Sequence, residues 1–364
     1  MKKIVIVAGD RSGDIYGGFL CKKLQEKFTD LQISSFGGPS LAQESHQILD
    51  LTAHSVSGIA EVFFPFINIL IAFRKTIEEV KKINPDLIIL IDFPDFNLRL
   101  AQSFNNTYRI FYYVSPQVWA WRKKRIELIK KYVEKMIVIF RFEENFYQKE
   151  SVPTLYFGHP LLELIEKRPT ETKKIISFMP GSRKNEIKKH LPVLIAVKKI
   201  MEIELKEYEF RIIRPDNIEE KFYKKFKSNM NIVRHSYEAI QESEFVITSS
   251  GTATVEIALL GVPFAIIYKL SSLSWEILRR IVDIRFIGMV NILFSKKVVE
   301  EFLQRDATPE NIAAHALSIL KNKEEYEQMK TQLATIKDIL APLGATNSFA
   351  EFIGKFLKLP RKDQ

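Results

Sequence analysis

Ser249-Ser250-Gly251-Thr252-Ala253-Thr254-Val255-Glu256 follows the apolar run Phe245 to Ile247 and opens the helix-like Glu256-Ile257-Ala258-Leu259-Leu260. A buried strand that breaks into small residues and then enters a helix leaves backbone N–H groups and the positive end of the helix dipole facing outward. Ser250, Gly251, Thr252 and Ala253 are therefore read as a phosphate seat. Glu256 falls about one turn inside, where a carboxylate reaches the vicinal hydroxyls of a ribose. A capped helix whose Glu merely balances the dipole has the same local pattern, so the surrounding chain has to decide between them.

Upstream, Ile175 to Met179 reads as a strand, Pro180-Gly181-Ser182-Arg183 as a turn, and Asn185 onward as a basic helix; Phe210 to Ile213 and Phe264 to Tyr268 add strands. Arg183 carries a planar fork suited to bidentate contact with a diphosphate, with an ordinary surface arginine as the plainer alternative. The same rhythm occupies the first half. Ile4 to Ala8 is an apolar strand running into Gly9-Asp10-Arg11-Ser12-Gly13-Asp14 and a helical stretch through Leu24. Ile33 to Phe36, Asp86 to Ile91, Ile110 to Val114 and Met136 to Phe140 follow as strands, and Asn84-Pro85 stops the helix that ends at Ile83. The spacing in the first loop is not Gly-x-Gly-x-x-Gly, so a dinucleotide fingerprint is not supported. The expected fold is α/β, with two Rossmann-like domains facing across a cleft that holds the ligand. The boundaries are residues 1–168 and 169–340, joined through the charged stretch 166–174. Residues 341–364 contain an amphipathic helix, apolar at 349, 352, 353, 356 and 357, that packs on the first domain or on a partner subunit.

The chain has 364 residues, of which 46% are hydrophobic, enough for two cores of ordinary size. A single cysteine, Cys21, excludes an internal disulfide framework and suits a reducing compartment. A formal charge of +10 favours an anionic partner: phosphorylated small molecule, membrane face or nucleic acid. The apolar start is too short for a signal peptide. Val62 to Phe73 is dense in apolar residues but too short to span a bilayer, and Arg74-Lys75 follow it. Two readings stand for its Phe63, Phe64, Phe66, Ile69, Leu70 and Phe73: a segment dipping into a membrane interface, or a buried core helix.

The strand Asp86 to Ile91 ends at Asp92-Phe93-Pro94-Asp95-Phe96-Asn97, placing two carboxylates where open α/β sheets carry their chemistry. Asp92 is read as the base that takes a proton from an acceptor hydroxyl attacking an anomeric carbon, with Asp95 as rival base or orienting group. A loop-capping role is the plain reading of both. The sequence contains no Asp-x-Asp, so a metal-bridged diphosphate is not expected, and no cofactor is called for. His159 and His190 lack neighbouring ligand types and read as hydrogen-bonded histidines. The basic run Arg122 to Arg125 beside Trp119 and Trp121 suits a lipid phosphate or membrane rim better than nucleic acid.

These motifs, together with Gly58-Ile59-Ala60-Glu61-Val62, Ser115-Pro116-Gln117-Val118-Trp119-Ala120-Trp121-Arg122, Phe157-Gly158-His159-Pro160 and Pro180 to Ile187, resemble in order those of the lipid-A-disaccharide synthase family. The resemblance runs to about Leu293. It implies a metal-independent GT-B glycosyltransferase, cytoplasmic and peripheral on the inner membrane. Such an enzyme joins UDP-2,3-diacylglucosamine to 2,3-diacylglucosamine 1-phosphate (lipid X), with inversion and release of UDP. It also implies a homodimer with exchanged C-terminal segments, and roles for Asp92 as base and for Arg183 and Asn291 in activity. The candidate catalytic set is thus Asp92, Asp95, Asp10 and Ser12. The donor set is Gly181, Ser182, Arg183, Ser250, Gly251, Thr252, Ala253, Glu256 and Asn291. The family usually has Glu in place of Asp10 and Ser in place of Gln117. Rival readings are an enzyme on soluble UDP-sugars, such as a UDP-N-acetylglucosamine 2-epimerase, and a non-enzymatic nucleotide-binding protein.

Overall fold

Seven short strands of the first half pair in parallel: β1 (Lys2–Ala8), β2 (Leu31–Phe36), β3 (His46–Leu49), β4 (Leu87–Ile91), β5 (Ile110–Tyr113), β6 (Lys135–Val138) and β7 (Thr154–Tyr156). Six more follow: β8 (Ile175–Met179), β9 (Glu209–Arg214), β10 (Asn231–Arg234), β11 (Phe245–Ser249), β12 (Phe264–Tyr268) and β13 (Glu301–Leu303). The sheet orders are β3-β2-β1-β4-β5-β6-β7 and β10-β9-β8-β11-β12-β13. Each is a doubly wound sheet whose strand order reverses once, between β1 and β4 in the first and between β8 and β11 in the second. The computed structural model describes residues 1–52, 64–119, 125–165, 171–270 and 285–362, and only the backbone of 64–67. The motif at 58–62, Phe63, the side chains of Phe64 and Phe66, Trp121-Arg122 and the linker residues 166–170 lie outside the described residues.

The chain divides into two compact units, Met1–Glu163 with Leu340–Gln364, and Leu164–Ile339. Central strands are apolar on both faces because helices cover both: every residue of Ile4 to Ala8 and of Leu87 to Ile91 is fully buried. Val5 and Val7 point into a cluster with Ala72, Val80, Leu98, Ile126 and Ile129, while strand alternation sends Ile4 and Ile6 to the opposite face. The strands not anticipated from sequence, β3, β7, β10 and β13, are edge or near-edge strands of three or four residues, too short for a period of two to register.

The helix Phe64–Ile83 divides the apolar segment that two readings contested. Phe73, Ile77 and Val80, spaced i, i+4, i+7, pack against the first core, and Phe73 meets Phe96 edge to face at 5.2 Å. Phe73 is thus partly buried against the first core, as the core-helix reading expects of it. Ile69, Leu70 and Ile71 are 41%, 50% and 58% exposed, and Arg74 and Lys75 beside them are exposed too. No helix among the described residues is long and apolar enough to cross a membrane.

The last helix, Ala345–Leu357, lies on the first unit. Phe349 packs on Tyr113 at 5.0 Å, Phe356 on Phe111 at 4.6 Å, and the Arg109 guanidinium sits 3.6 Å above the Phe356 ring. Its entry is fixed by the Tyr156 hydroxyl, which donates to Leu340 O and Ala341 O at 2.9 and 2.8 Å, and by His159 N–H, which donates to Leu340 O at 3.0 Å. Gly158 has φ +103°, and a Cβ there would stand 2.0 Å from Pro342 O. Gly158→Ala is expected to destabilise the first unit by about 2–4 kcal/mol, because it adds left-handed strain to a backbone clash. Thermal unfolding followed by circular dichroism measures it.

Candidate functional site

Both loops that leave the first switch point carry the predicted carboxylates. Asp10, just past β1, caps the helix Arg11–Lys27: its Oδ1 accepts from Gly13 N at 2.7 Å and from Ser12 Oγ at 3.3 Å. Asp92, just past β4, and Phe93 after it both take left-handed conformations, φ +44° and +48°. Such backbone is unfavourable for side-chain-bearing residues and persists only where its surroundings over-determine it. Here Asn97, fully buried, donates from Nδ2 to Ile91 O at 3.1 Å and to Asp92 O at 2.8 Å, and the Tyr112 hydroxyl donates to Asp92 O at 2.6 Å. Gly9 leaves room for the turned-back Phe93 ring, since a Cβ would lie 2.1 Å from Phe93 Cδ1. Phe93 then stacks on Phe96 at 5.2 Å.

The Asp92 carboxyl is held well above the usual carboxylate range by burial first, then by the charge of Asp10 and a hydrogen bond shared with it. Asp95 differs in kind: it is 68% exposed and ion-paired with Arg125. Of the two rival bases, only Asp92 is desolvated and paired with a second carboxyl. Beneath this loop lies Glu143, 2% exposed, which accepts from Ser115 Oγ at 2.6 Å, Trp119 Nε1 at 3.2 Å and Phe140 N at 3.3 Å. Burial raises its pKa to about 7. Glu143 thus holds the Ser115-to-Trp119 loop from below, a role hidden in the sequence because its partners lie 28 and 24 residues away.

The second switch point gathers the donor residues. After β8, Gly181 has φ +133°, and its missing Cβ makes room for Glu186, which would otherwise be 2.6 Å away. Glu186 accepts from Ser182 N at 3.1 Å and Arg183 N at 3.4 Å, so this helix start already has its anion. Arg183, with its side chain 77% exposed, pairs with Glu186 at 3.3 Å. His190, fully buried, clamps the turn: Nε2 accepts from Lys269 N at 2.9 Å, so Nδ1–H donates to Pro180 O at 2.7 Å. Burial lowers its pKa, which keeps it neutral. His159 is likewise buried, its Nδ1 accepting from Leu161 N at 3.1 Å.

After β11, the helix Ala253–Leu260 finds its first internal bonds only at Thr254 N, Val255 N and Glu256 N, so the N–H groups of Gly251, Thr252 and Ala253 precede the ladder. Gly251 and Thr252 are exposed, and Gly251 has φ +149° with nothing near its Cβ position, so glycine is required there for conformation alone. Ser250 Oγ donates to Ile287 O at 2.9 Å. The Glu301 carboxylate accepts from Ile287 N at 2.9 Å and Gly288 N at 3.0 Å, and from Asn291 Nδ2 at 2.8 Å. Asn291 also donates to Val299 O and accepts from Val298 N and Val299 N. Its bonding capacity is spent inside the protein, so it braces the Ser250 loop through Glu301 and does not present itself as a donor contact. Glu256 sits in the first turn of the helix, as spacing predicted, with its carboxylate 2.9 Å from His235 Nε2. Neither Glu301 nor His235 carries a local sequence signal, since both act across strands.

Two parallel sheets with carboxylates at one switch point and a phosphate-competent helix start at the other define the GT-B class of α/β fold. S. aureus MnaA, solved with UDP, superimposes with a TM-score of 0.68 at 13% identity over 99% of this chain and 98% of that one. A spinosyn rhamnosyltransferase solved with thymidine diphosphate does so at 0.61 and 12% identity, over 97% of this chain and all of the other. The chain belongs to the lipid-A-disaccharide synthetase family, whose model matches residues 4–347. Lipid-A-disaccharide synthase 1 of Legionella pneumophila (strain Lens) is 36% identical over 384 residues, covering 99% of this chain and 98% of that one.

A carboxyl whose folded pKa is raised contributes stability that is full below its unfolded pKa and is lost as pH rises through the folded value. For Glu143 that window runs from the ordinary value of 4.5 to about 7. The stability of Glu143→Gln relative to the parent is therefore expected to improve between about pH 5 and pH 8, as paired thermal melts would record. A flat difference would mean that Glu143 is ionised throughout.

Proposed function

We propose that this chain is an inverting glycosyltransferase of lipid A biosynthesis, joining UDP-2,3-diacylglucosamine to 2,3-diacylglucosamine 1-phosphate and releasing UDP. Membership of the family supports the reaction, and the observation that carries the residue assignment is the Asp92 carboxyl at a switch point, raised by burial and by the neighbouring Asp10 carboxyl. The acceptor hydroxyl attacks the anomeric carbon of the donor as the bond from that carbon to the diphosphate breaks. UDP departs with the bonding electrons, and the hydroxyl proton passes to Asp92. A carboxylate of ordinary pKa is a weak base toward an alcohol, so raising it improves the match. The N–H groups at Gly251 to Ala253 and Arg183 take the charge growing on the leaving diphosphate, and Glu256 takes the ribose. Asp95, paired with Arg125, orients the approach to Asp92.

Exposed Ile69, Leu70 and Ile71, followed by Arg74 and Lys75, support peripheral attachment to an anionic membrane, with both acylated substrates drawn from it. Phe111, Tyr113 and Phe157 form an aromatic bed under the last helix, and a second copy of the chain would offer the same bed to an exchanged segment.

Asp92→Asn is expected to lower kcat by at least about a hundredfold while UDP affinity stays within a few-fold. In Asp10→Asn the charge that raises Asp92 is gone, so the acid limb of the kcat/KM profile should move to lower pH. An unmoved limb would assign it to another group. Product analysis by mass spectrometry, with both acylated substrates supplied, tests the reaction itself.

Replacing Ile69, Leu70 and Ile71 together by Ser should release the protein from sedimenting anionic vesicles without loss of fold. Phe73→Ser should instead cost about 2–4 kcal/mol of stability.

A further inference from the structure

We propose that His235 is a positioning residue that fixes Glu256 for ribose and thereby sets the preference for a ribonucleotide donor. The proposal rests on the reading of the second unit as the nucleotide side. His235 directly follows β10, on the same carboxyl edge as the loops after β8 and β11. Its own backbone N–H donates to Arg214 O at the end of β9, 2.8 Å away, and its ring packs edge-on against Tyr237 at 5.9 Å. The imidazole is thus held from the main chain and from one side before it meets the carboxylate. Its Nε2 lies 2.9 Å from Glu256 Oε2, and the two side chains are only 15% and 16% exposed.

A glutamate in the first turn of a helix is free to swing among rotamers, and a ligand that needs one of them must order it. The imidazole N–H fixes one carboxylate oxygen, which leaves Oε1 to accept from a sugar hydroxyl at a constant place. The pair also joins the helix Ala253–Leu260 to β10, so the ribose carboxylate and the N–H groups of Gly251 to Ala253 keep one spacing. A purely structural tie would have the same geometry, but it would weaken all nucleotides alike. Orientation for ribose weakens only those that carry the hydroxyls.

The discriminating quantity is the ratio of dissociation constants for 2′-deoxy- or 3′-deoxy-UDP and for UDP, measured by titration calorimetry. In the parent protein one of the two ratios is expected to be about tenfold or more, as for a hydrogen bond to a charged acceptor. In His235→Ala that ratio should fall to within about threefold while 2′,3′-dideoxy-UDP binds as before. His235→Gln, whose amide N–H can reach the same oxygen, should recover most of the discrimination. A full ratio in His235→Ala overturns the proposal, as does a collapsed ratio in a folded His235→Gln. If the parent protein binds UDP but ignores the ribose hydroxyls, Glu256 has no ribose role and the proposal falls together with that one assignment, while the reading of the second unit as the donor side stands. If it binds no UDP at all, the donor reading falls with it.

Discussion

Parallel strands can be joined only by crossovers, and right-handed crossovers that build a sheet outward from its first strand must at some point change direction. At that reversal two neighbouring loops leave the sheet toward opposite faces and open a crevice at the strands' carboxyl ends. This constraint acts twice here. β1 and β4 open one crevice with Asp10 and Asp92 at its lips, and β8 and β11 open another with Gly181 to Arg183 and Ser250 to Ala253. Nearly every residue with a chemical assignment stands on one of these four loops.

The two crevices are built for opposite charges. The first concentrates carboxyls: burial and the charges of Asp10 and Glu143 raise the proton affinity of Asp92, and burial raises that of Glu143, which suits a site that must remove a proton. The second offers N–H groups and a guanidinium, and three described carboxylates near it are already committed. Glu186 is bound to Ser182, Arg183 and its own helix start, Glu301 to Ile287, Gly288 and Asn291, and Glu256 to His235. Committed carboxylates stiffen the loops, and the N–H groups of Gly251 to Ala253 stay ahead of the hydrogen-bond ladder of the following helix.

Rigidity of the first crevice comes from an unfavourable backbone held in place. Two consecutive left-handed residues, Asp92 and Phe93, survive because one carbonyl receives bonds from both Asn97 and Tyr112 and because Gly9 has no side chain to obstruct Phe93. Removing any one of the three would let Asp92 relax away from Asp10. Gly9 and Asn97 therefore shape the same loop around Asp92, although Gly9 lies outside the Asp92-to-Asn97 motif.

The amino-acid order by itself determined the alternation of apolar strands and helices, the two-sheet class, and the strand-end position of the loops that carry the candidate catalytic and donor residues. Those follow from local properties: hydrophobic runs, glycine and proline breaks, and small residues ahead of helices. It also placed Glu256 one turn inside its helix. What only the tertiary structure decided were pairings across strands and loops. The Asp92 carboxyl is raised by burial first and then by the charges that Asp10 and Glu143 bring from elsewhere in the chain, whereas Asp95 is exposed and paired with Arg125. Phe73 packs against the core although Ile69 to Ile71 are exposed, because a different stripe of that helix carries Phe73, Ile77 and Val80. Asn291 braces rather than contacts, because Glu301 and the backbone of Val298 and Val299 take its whole amide. A hydrogen bond between distant residues leaves no periodic trace in either partner's neighbourhood, so composition and spacing located the loops and folding assigned the work within them.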